Sequence, residues 1–404
     1  MKKLIALILV ALTVLALASC KDKTPAEEPS PVPTATVAPT ETPTLEPSPS
    51  PSPSPSPTPT PYDGFSNPLT GLPTETDISK NRPYAIMLNN RQIAQPQLGV
   101  SKADVLFECP VEGGITRMLA VFQDVSNIGT IGSVRSSRLY YVDIAQGYDA
   151  VYIYAGGSPQ AYSALKSRGI DGVDGVNGKH QEIFWRDKDR RASMGYEHSL
   201  VTSGERIMKY LPTYGFRLEH KDGYDYAPKF APDAVIPEAT VTPTATSTPS
   251  STSTAAVTAT PKVTPTATPI PANIAVNVNV RFSNAKSTTL IYNADTGLYA
   301  MSQFGGEHKD GDDGALVAFA NALVLRAPIG QISGDTEGRL DVSLAGGSGA
   351  GTLFIGGKTC DITWSKKDAS SPIVYKLEDG TEPTFRSGKT YVAVISKDMK
   401  VTVA

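Results

Sequence analysis

Two low-complexity tracts divide the chain and limit where a folded core can form. Residues 21–61 end in the repeat SPSPSPSPTPTP, and residues 238–272 consist mainly of Thr, Pro, Ser and Ala. Both tracts have too few apolar side chains to offset the entropy cost of ordering. The prolines predict an extended polyproline II tether in the first tract, and the composition predicts a disordered linker in the second. The folded segments should therefore be residues 62–237 and residues 273–404.

The N-terminus predicts export and a lipid anchor. Lys2 and Lys3 precede the uncharged run Leu4–Leu17, which has the length of a signal-peptide core and is short for a membrane span. The run leads into Leu-Ala-Ser-Cys, which resembles the bacterial lipobox whose cysteine receives diacylglycerol. We therefore expect residues 1–20 to be a lipoprotein signal and Cys20 to be lipidated. The acyl chains would hold the protein on the extracytoplasmic face of the cell membrane. A transmembrane helix with a chance cysteine is the alternative.

The composition argues against several other classes of partner and cofactor. The formal net charge is −3 and charged residues make up 19%, so neither nucleic acid nor an anionic bilayer surface is an expected partner. Besides Cys20, only Cys109 and Cys360 are present, too few for a disulfide framework, and we expect both to be small buried residues. The four histidines lack metal-ligand spacing. We predict no metal site and no cofactor.

The first folded segment alternates strand-length apolar runs with helical patterns. Strands are predicted at PYAIMLNN, ADVLFE, ITRMLAVFQDV, DAVYIYAG and EIFWRD, and helices at residues 137–147, SPQAYSALKSRG and LVTSGERIMKYLP. This alternation predicts an α/β domain with a mixed central sheet and packed helices. The second segment instead reads as strands separated by Gly and Asp turns, as in IAVNVNVRF and KTYVAVISKDMKVTV. It predicts a small, mainly β C-terminal domain.

Two glutamates and an arginine surround the double glycine of ECPVEGGITRMLAVF. Pro110 rules out a continuous helix, so Glu108 should end one strand, Glu112 should lie in the turn, and Arg117 should begin the next strand. Arg117 would share a face with apolar residues, where a guanidinium needs an acceptor. The glutamates could pair with it as a structural hairpin lock, or the group could form a functional site.

The stretch SVRSSRLYYVD adds two more arginines beside a predicted helix start. Ser136 or Ser137 is suited to cap the helix, and Arg135 and Arg138 would flank its first turn. Guanidinium groups beside free backbone N–H groups favour a carboxylate or phosphate. The alternative is that Asp143 or Glu112 already pairs with these arginines. The candidate ligand-binding residues are therefore Arg117, Arg135, Ser136 and Arg138.

Several motifs closely resemble those of the YerB-like lipoproteins. They are EGGITRMLAVF, IGSVRSSR and AGGSPQAYSAL in the first segment, and IYNADTGLYAMSQFGGEHKDGDDG in the second. That family, whose function is unknown, has distinct N- and C-terminal domains, so the resemblance implies a two-domain lipoprotein and no particular reaction. The chain departs from the family around His198, where YEHSL replaces the common Pro-His-Asn, and at Ala300, where an arginine is usual.

These observations lead to three functional hypotheses. We expect first a tethered envelope lipoprotein whose N-terminal domain binds an anionic envelope component through its arginines. The second hypothesis is a cell-wall glycan or peptide hydrolase that uses Glu108 or Glu112 with His198 as acid and base. The third is a structural scaffold that contacts another envelope protein through its β domain.

Overall fold

A computed structural model of the chain describes the folded segments only. The described residues are 64–224, 226, 228–236 and 274–404. The predicted signal, tether, linker and lipidated Cys20 all lie outside them. Among the described helices, none is long and apolar enough to cross a membrane.

The described residues form short helices and many strands. The four α-helices are α1 Leu139–Gly147, α2 Pro159–Ser167, α3 Lys188–Met194 and α4 Gly204–Tyr210. The strands before the second low-complexity tract are β1 Phe65–Ser66, β2 Pro73–Thr74, β3 Tyr84–Asn90, β4 Val105–Pro110, β5 Thr116–Phe122, β6 Thr130–Gly132, β7 Val151–Tyr154, β8 Gly172–Asp174, β9 Trp185–Arg186, β10 Leu200–Ser203 and β11 Lys229–Ala231. Single 3-10 turns occupy Gln92–Ala94, Val100–Lys102, Glu112–Gly114, Tyr196–His198 and Leu211–Tyr214.

The described residues of the second segment, 274–404, form no helices, only strands. They are β12 Asn277–Arg281, β13 Ser287–Asn293, β14 Leu298–Gln303, β15 Gly306–Glu307, β16 Ala318–Phe319, β17 Asn321–Ala327, β18 Ile329–Gln331, β19 Leu340–Val342, β20 Gly347–Ile355, β21 Lys358–Lys366, β22 Val374–Lys376, β23 Thr384–Arg386, β24 Thr390–Ser396 and β25 Val401–Val403. The described chain is thus sheet-rich with few helices.

One ten-stranded mixed sheet contains strands from both segments. Its order is β22-β21-β20-β17-β24-β4-β5-β3-β7-β8. Strand β24 runs parallel to β17 on one side and to β4 on the other, with Thr390 opposite Val105 and Ala393 opposite Glu108. The described residues of both segments belong to a single compact unit. The sequence predicts two separate folded pieces, whereas this sheet joins them through backbone hydrogen bonds.

The central strands are buried on both faces, which explains their nearly continuous apolar sequences. On one face, Ala85 and Met87 of β3 pack with residues of α1 and α2. On the other face, Ile86 and Leu88 pack in a core that includes Leu290 and other residues of a six-stranded sheet built from β12–β16 and β25. The fold is therefore a large mixed sheet covered by two helices on one side and by a second sheet on the other.

Several local predictions need correction. The helix predicted over LVTSGERIMKYLP is a strand up to Ser203 followed by α4, because the Ser203 hydroxyl accepts a hydrogen bond from the backbone N–H of Arg206 and starts the helix there. In EIFWRD only two residues form a strand. Helix α1 is preceded by Arg138 and not by a capping serine, since the Ser137 hydroxyl instead accepts from the hydroxyl of Tyr152 at 2.7 Å.

The two cysteines of the described segments form no disulfide there. Cys109 is buried as predicted, and Cys360 is half-buried. Burial raises the pKa of Cys360 to about 11, so its thiol is protonated at neutral pH.

Candidate anion site at the carboxyl edge of the sheet

The predicted site residues lie where several strands of the large sheet end. Strands β3 and β7 are parallel, and β4 runs in the same direction because both β3 and β4 are antiparallel to β5. Their carboxyl ends therefore meet at one edge, which is where open α/β sheets usually bind ligands. Four arginines lie at this edge and are called the arginine cluster: Arg91, Arg117, Arg135 and Arg138.

Two members of the cluster hold Glu112. The Glu112 carboxylate accepts from Nε of Arg138 at 3.0 Å, contacts Nη2 of the same side chain, and accepts from Nη2 of Arg117 at 3.2 Å. Both arginine side chains are buried, and Glu112 is 23% exposed. Burial alone would raise the pKa of Glu112, but the Arg138 hydrogen bond and the Arg117 charge outweigh it and hold that pKa below its ordinary value.

The loop sequences explain this placement. Gly113 and Gly114 have φ of +74° and +71°, which lets the chain reverse tightly after β4 and leaves Glu112 facing the arginines. Arg117 also donates to the carbonyl of Ser136 at 3.0 Å, and Arg138 donates to the carbonyl of Ser137 at 2.7 Å. Glu112, Arg117 and Arg138 therefore fix the loop that carries Arg135.

The cluster carries more positive than negative charge. Burial first, and the neighbouring Arg138 charge second, lower the pKa of Arg117 to about 10. Burial also lowers the pKa of Arg135, although the nearby Glu197 carboxylate works in the opposite direction. Arg91 is exposed and forms no ion pair with any described residue. Four guanidinium groups thus face two carboxylates, Glu112 and Glu197, and leave two positive charges in excess.

Arg135 and Ser136 line a cavity of about 650 Å³ with Trp185, Arg186, Tyr196 and Glu197, called the arginine cavity. Arg135 donates to the Glu197 carbonyl at 3.0 Å, and its Nη2 lies 3.6 Å from the Glu197 carboxylate. The Arg186 guanidinium lies 3.8 Å from the centre of the Tyr196 ring. Two guanidinium groups therefore border an open cavity, and the Glu197 carboxylate beside Arg135 is largely solvated.

His198 lies beside this cavity and is itself buried. Its Nδ1 accepts from Nδ2 of Asn89 at 2.8 Å, and its backbone carbonyl accepts from Nε of Arg190 at 3.2 Å. Burial lowers the pKa of His198, and the charges of Arg135 and Arg91 lower it further. The imidazole is therefore neutral at pH 7.

Glu108 belongs to a different environment. Along β4 it shares a face with Leu106 and points toward the second sheet, whereas Arg117 shares a face with Leu119 and points toward α1. Glu108 is fully buried. Its oxygens accept from Asn90, Thr116, Thr288 and Tyr391 at 2.6–2.9 Å, and the ammonium of Lys286 lies 3.1 Å away.

The structure thus brings some predicted residues together and separates others. Arg117, Arg138 and Glu112 meet, and Arg135 and Ser136 line the adjoining cavity. Glu108 instead joins the two segments through Lys286, Thr288 and Tyr391. Sequence reasoning missed Asn89, Arg91 and Lys286; the polar NNR that ends the apolar β3 run was a usable signal for the first two.

Comparison with known protein families shows which family the chain belongs to. Residues 69–217 match the N-terminal domain of the DUF3048 proteins of unknown function, and residues 278–392 match the C-terminal domain of the same family. This chain belongs to the DUF3048 family. The chain is also similar to YerB of Bacillus subtilis (strain 168), a protein named as a lipoprotein, and the two are 31% identical over 331 residues. That match covers 81% of this chain and 85% of YerB.

The crystal structure of Bacillus subtilis YerB is similar to this DUF3048 protein. The TM-score is 0.65 at 27% identity, and the match covers 83% of this chain and 99% of the YerB chain. The predicted resemblance to the YerB-like lipoproteins is therefore confirmed in both sequence and fold.

Proposed function

We propose that this DUF3048 protein is a membrane-anchored extracytoplasmic lipoprotein that binds an anionic component of the cell envelope in the arginine cavity. The lipoprotein name of its relative YerB and the lipobox ending in Cys20 support the location. Partners are the membrane, reached through the lipid anchor, and a cell-wall or other envelope component.

The excess charge of the arginine cluster is the observation that carries the proposal. Removing a guanidinium from water is costly unless a carboxylate or another anion compensates it. Glu112 serves Arg117 and Arg138, while the carboxylate near Arg135 belongs to Glu197, whose side chain is 68% exposed. Arg135 therefore has only a weak, solvated counter-ion. An anionic ligand would supply the missing charge.

The shape of the arginine cavity fits such a ligand. Val134, Phe184 and Leu200 contribute apolar surface, and Arg135 and Arg186 supply guanidinium groups. A guanidinium binds a carboxylate or phosphate through paired hydrogen bonds, while apolar surface packs against the uncharged part of the ligand. In this proposal Arg117, Arg138 and Glu112 support the loop, and Arg135 contacts the ligand.

The hydrolase hypothesis has weaker support. A glycosidase of the usual kind needs one protonated and one ionised carboxyl group on either side of the substrate. Glu108 is fully buried and hydrogen-bonded through both oxygens, and two guanidinium groups favour the ionised form of Glu112. Neither residue is thus suited to protonate a leaving group.

The proposed function is tested by calorimetric titration of soluble anionic wall fragments into the full-length protein. We expect saturable binding that Arg135→Gln weakens by about tenfold or more, because a charge-assisted hydrogen bond is lost. Arg339→Gln is the matched control, since this arginine pairs with Asp335 in a separate hairpin. Equal losses for both variants, or no binding by the wild type, would contradict the proposal.

The location is tested separately by fractionating cells. Cys20→Ala should leave a folded protein that no longer sediments with membranes, because the predicted acylation point is gone. Retention of this variant in salt-washed membranes would argue against a lipid anchor at Cys20.

A further inference from the structure

The arginine cluster and the buried histidine beside it together specify which anionic group the envelope component carries. We propose that Arg91, Arg135 and His198 form one binding site for a phosphoryl group. This inference rests on the proposed function, because it names the charged group that the same arginines would bind.

Asn89 connects two of the three proposed ligand contacts. Its Oδ1 accepts from the backbone N–H of Arg91 at 3.2 Å, and its Nδ2 donates to Nδ1 of His198 at 2.8 Å. Asn89 is the penultimate residue of β3 and is 2% exposed, so it is held in place by the sheet. A single buried amide thus fixes the chain at Arg91 and the ring of His198.

The imidazole of His198 presents an N–H group that the described protein does not use. Because Nδ1 accepts a hydrogen bond from Asn89, the neutral ring carries its proton on Nε2. No described residue accepts a hydrogen bond from Nε2, and Nε2 is not among the buried polar atoms that lack a partner, so this N–H group reaches solvent although the residue is only 6% exposed. This accessible N–H group can therefore donate to an oxyanion of a bound ligand.

Arg135 contacts the turn that carries His198 from another element. It donates to the carbonyl of Glu197, the residue directly before His198. Arg91 lines a different cavity, with Asn90 and Lys286, but its charge lies near enough to Arg135 and His198 to lower the pKa of both, and it forms no ion pair with a described residue. The three donors therefore come from the end of β3, from the loop after β6, and from the Tyr196–His198 turn.

Donors on three separate elements favour a tetrahedral oxyanion over a planar carboxylate. A phosphate monoester has three terminal oxygens that can each accept a hydrogen bond, whereas a carboxylate has two. Its charge of nearly −2 at pH 7 also matches the two positive charges in excess. The charged groups around His198 are Arg135, Arg91, Arg190 and Glu197, so the cations outnumber the single carboxylate.

Binding of a phosphate dianion should also change the protonation of His198. In the free protein, burial and then the charges of Arg135 and Arg91 lower its pKa. A dianion beside Nε2 favours the protonated ring, so its binding should raise the pKa of His198. Ligand binding at this site can therefore be followed by the change in the pKa of His198.

The test is a titration of the full-length protein in detergent with glucose 1-phosphate, with glucose as the neutral control and glucuronate as the carboxylate probe. Arg91→Gln and His198→Asn should each weaken sugar phosphate binding by about tenfold or more, while Arg339→Gln has no effect. His198→Gln should retain most of the affinity, because its amide can place an N–H group near the position of Nε2. NMR should detect a rise in the His198 pKa when sugar phosphate is added.

The probes separate the sources of a phosphoryl group from one another. Inorganic phosphate and vesicles that contain phosphatidic acid are tested alongside the sugar phosphate. Vesicle binding that requires Arg91 and His198, without binding of the soluble phosphates, would support the phosphoryl site and assign its ligand to a lipid headgroup.

The failure of this inference is distinct from failure of the proposed function. If glucuronate binds through Arg135 and sugar phosphate binds no better than glucose, the phosphoryl inference is overturned and the proposed function stands. If sugar phosphate binds, but Arg91→Gln does not weaken its binding and the His198 pKa does not change, the assignment to these residues is overturned. If neither these probes nor anionic wall fragments bind, both proposals fail.

Discussion

At the residue scale, the carboxylate beside each arginine determines what that arginine does. Arg117 and Arg138 are buried and share Glu112, so their first role is to hold the loop between β6 and α1. Arg135 contacts Glu197, whose carboxylate is solvated and therefore easily displaced. Two of the arginines that look equivalent in SVRSSR thus have different roles.

Removing the shared carboxylate should destabilise the fold. Glu112→Gln would leave two buried guanidinium groups side by side without a counter-charge, and we expect a loss of about 3 kcal/mol in the free energy of unfolding. Glu197→Gln, at the exposed pair, should change it by less than about 0.5 kcal/mol. Urea unfolding of both variants measures the difference. Equal, small effects would mean that Glu112 is not a structural counter-ion.

Buried His308 predicts a pH dependence of stability. Burial lowers its pKa to about 4, while an unfolded histidine titrates near 6.5. Between these values the unfolded chain binds the extra proton, so this histidine should lower stability as the pH falls from about 6.5 to about 4. Raised carboxyl pKa values such as that of Asp104, about 6, act in the opposite direction, so the wild type alone does not isolate the effect.

The comparison of variants isolates the His308 effect. The stability difference between the wild type and His308→Gln should shift by about 1.4 kcal/mol per pH unit within that window. His180→Gln, at a histidine stacked on Tyr214, serves as the control. A difference that does not vary with pH would exclude the proposed titration of His308.

At the scale of elements, the sequence predicted the strands themselves better than the order in which they pair within the sheet. The apolar runs of β3, β4, β5 and β7 are clear because these strands are buried on both faces. Strands β4 and β24 pair although almost three hundred residues separate them in sequence, and no local sequence pattern predicts which strand β4 pairs with. The opposite faces of Glu108 and Arg117 follow from strand alternation, but only once the register of β4 and β5 is known.

The buried contact between β4 and the second sheet predicts strong coupling between Glu108 and Lys286. Burial lowers the pKa of Lys286, and the Glu108 charge works against that shift. Lys286→Met alone would leave a buried carboxylate unpaired and should cost about 3–5 kcal/mol. Glu108→Gln combined with Lys286→Met should cost less than the sum of the single variants, as measured by a double-mutant cycle. Additive losses would contradict a buried pair.

At the scale of the whole molecule, the two family domains share one sheet. The low-complexity tract predicts separable fragments, whereas β24 lies between β17 of its own segment and β4 of the other. Cleavage within residues 238–272 should therefore leave two fragments that remain together, because their separation would break the backbone hydrogen bonds of β4 and β24. Gel filtration of the cleaved protein measures this. Two separately eluting, folded fragments would instead support independent domains.

The position at which an anionic envelope fragment binds decides whether the arginine cavity is its binding site. A crystal structure of the complex tests this directly. We expect a carboxylate or phosphate oxygen about 2.7–2.9 Å from a guanidinium nitrogen of Arg135. In that complex the Glu197 carboxylate should have moved away from Arg135, and Glu112 should still be held by Arg117 and Arg138. A fragment bound elsewhere, with Arg135 still beside Glu197, would contradict the proposed function.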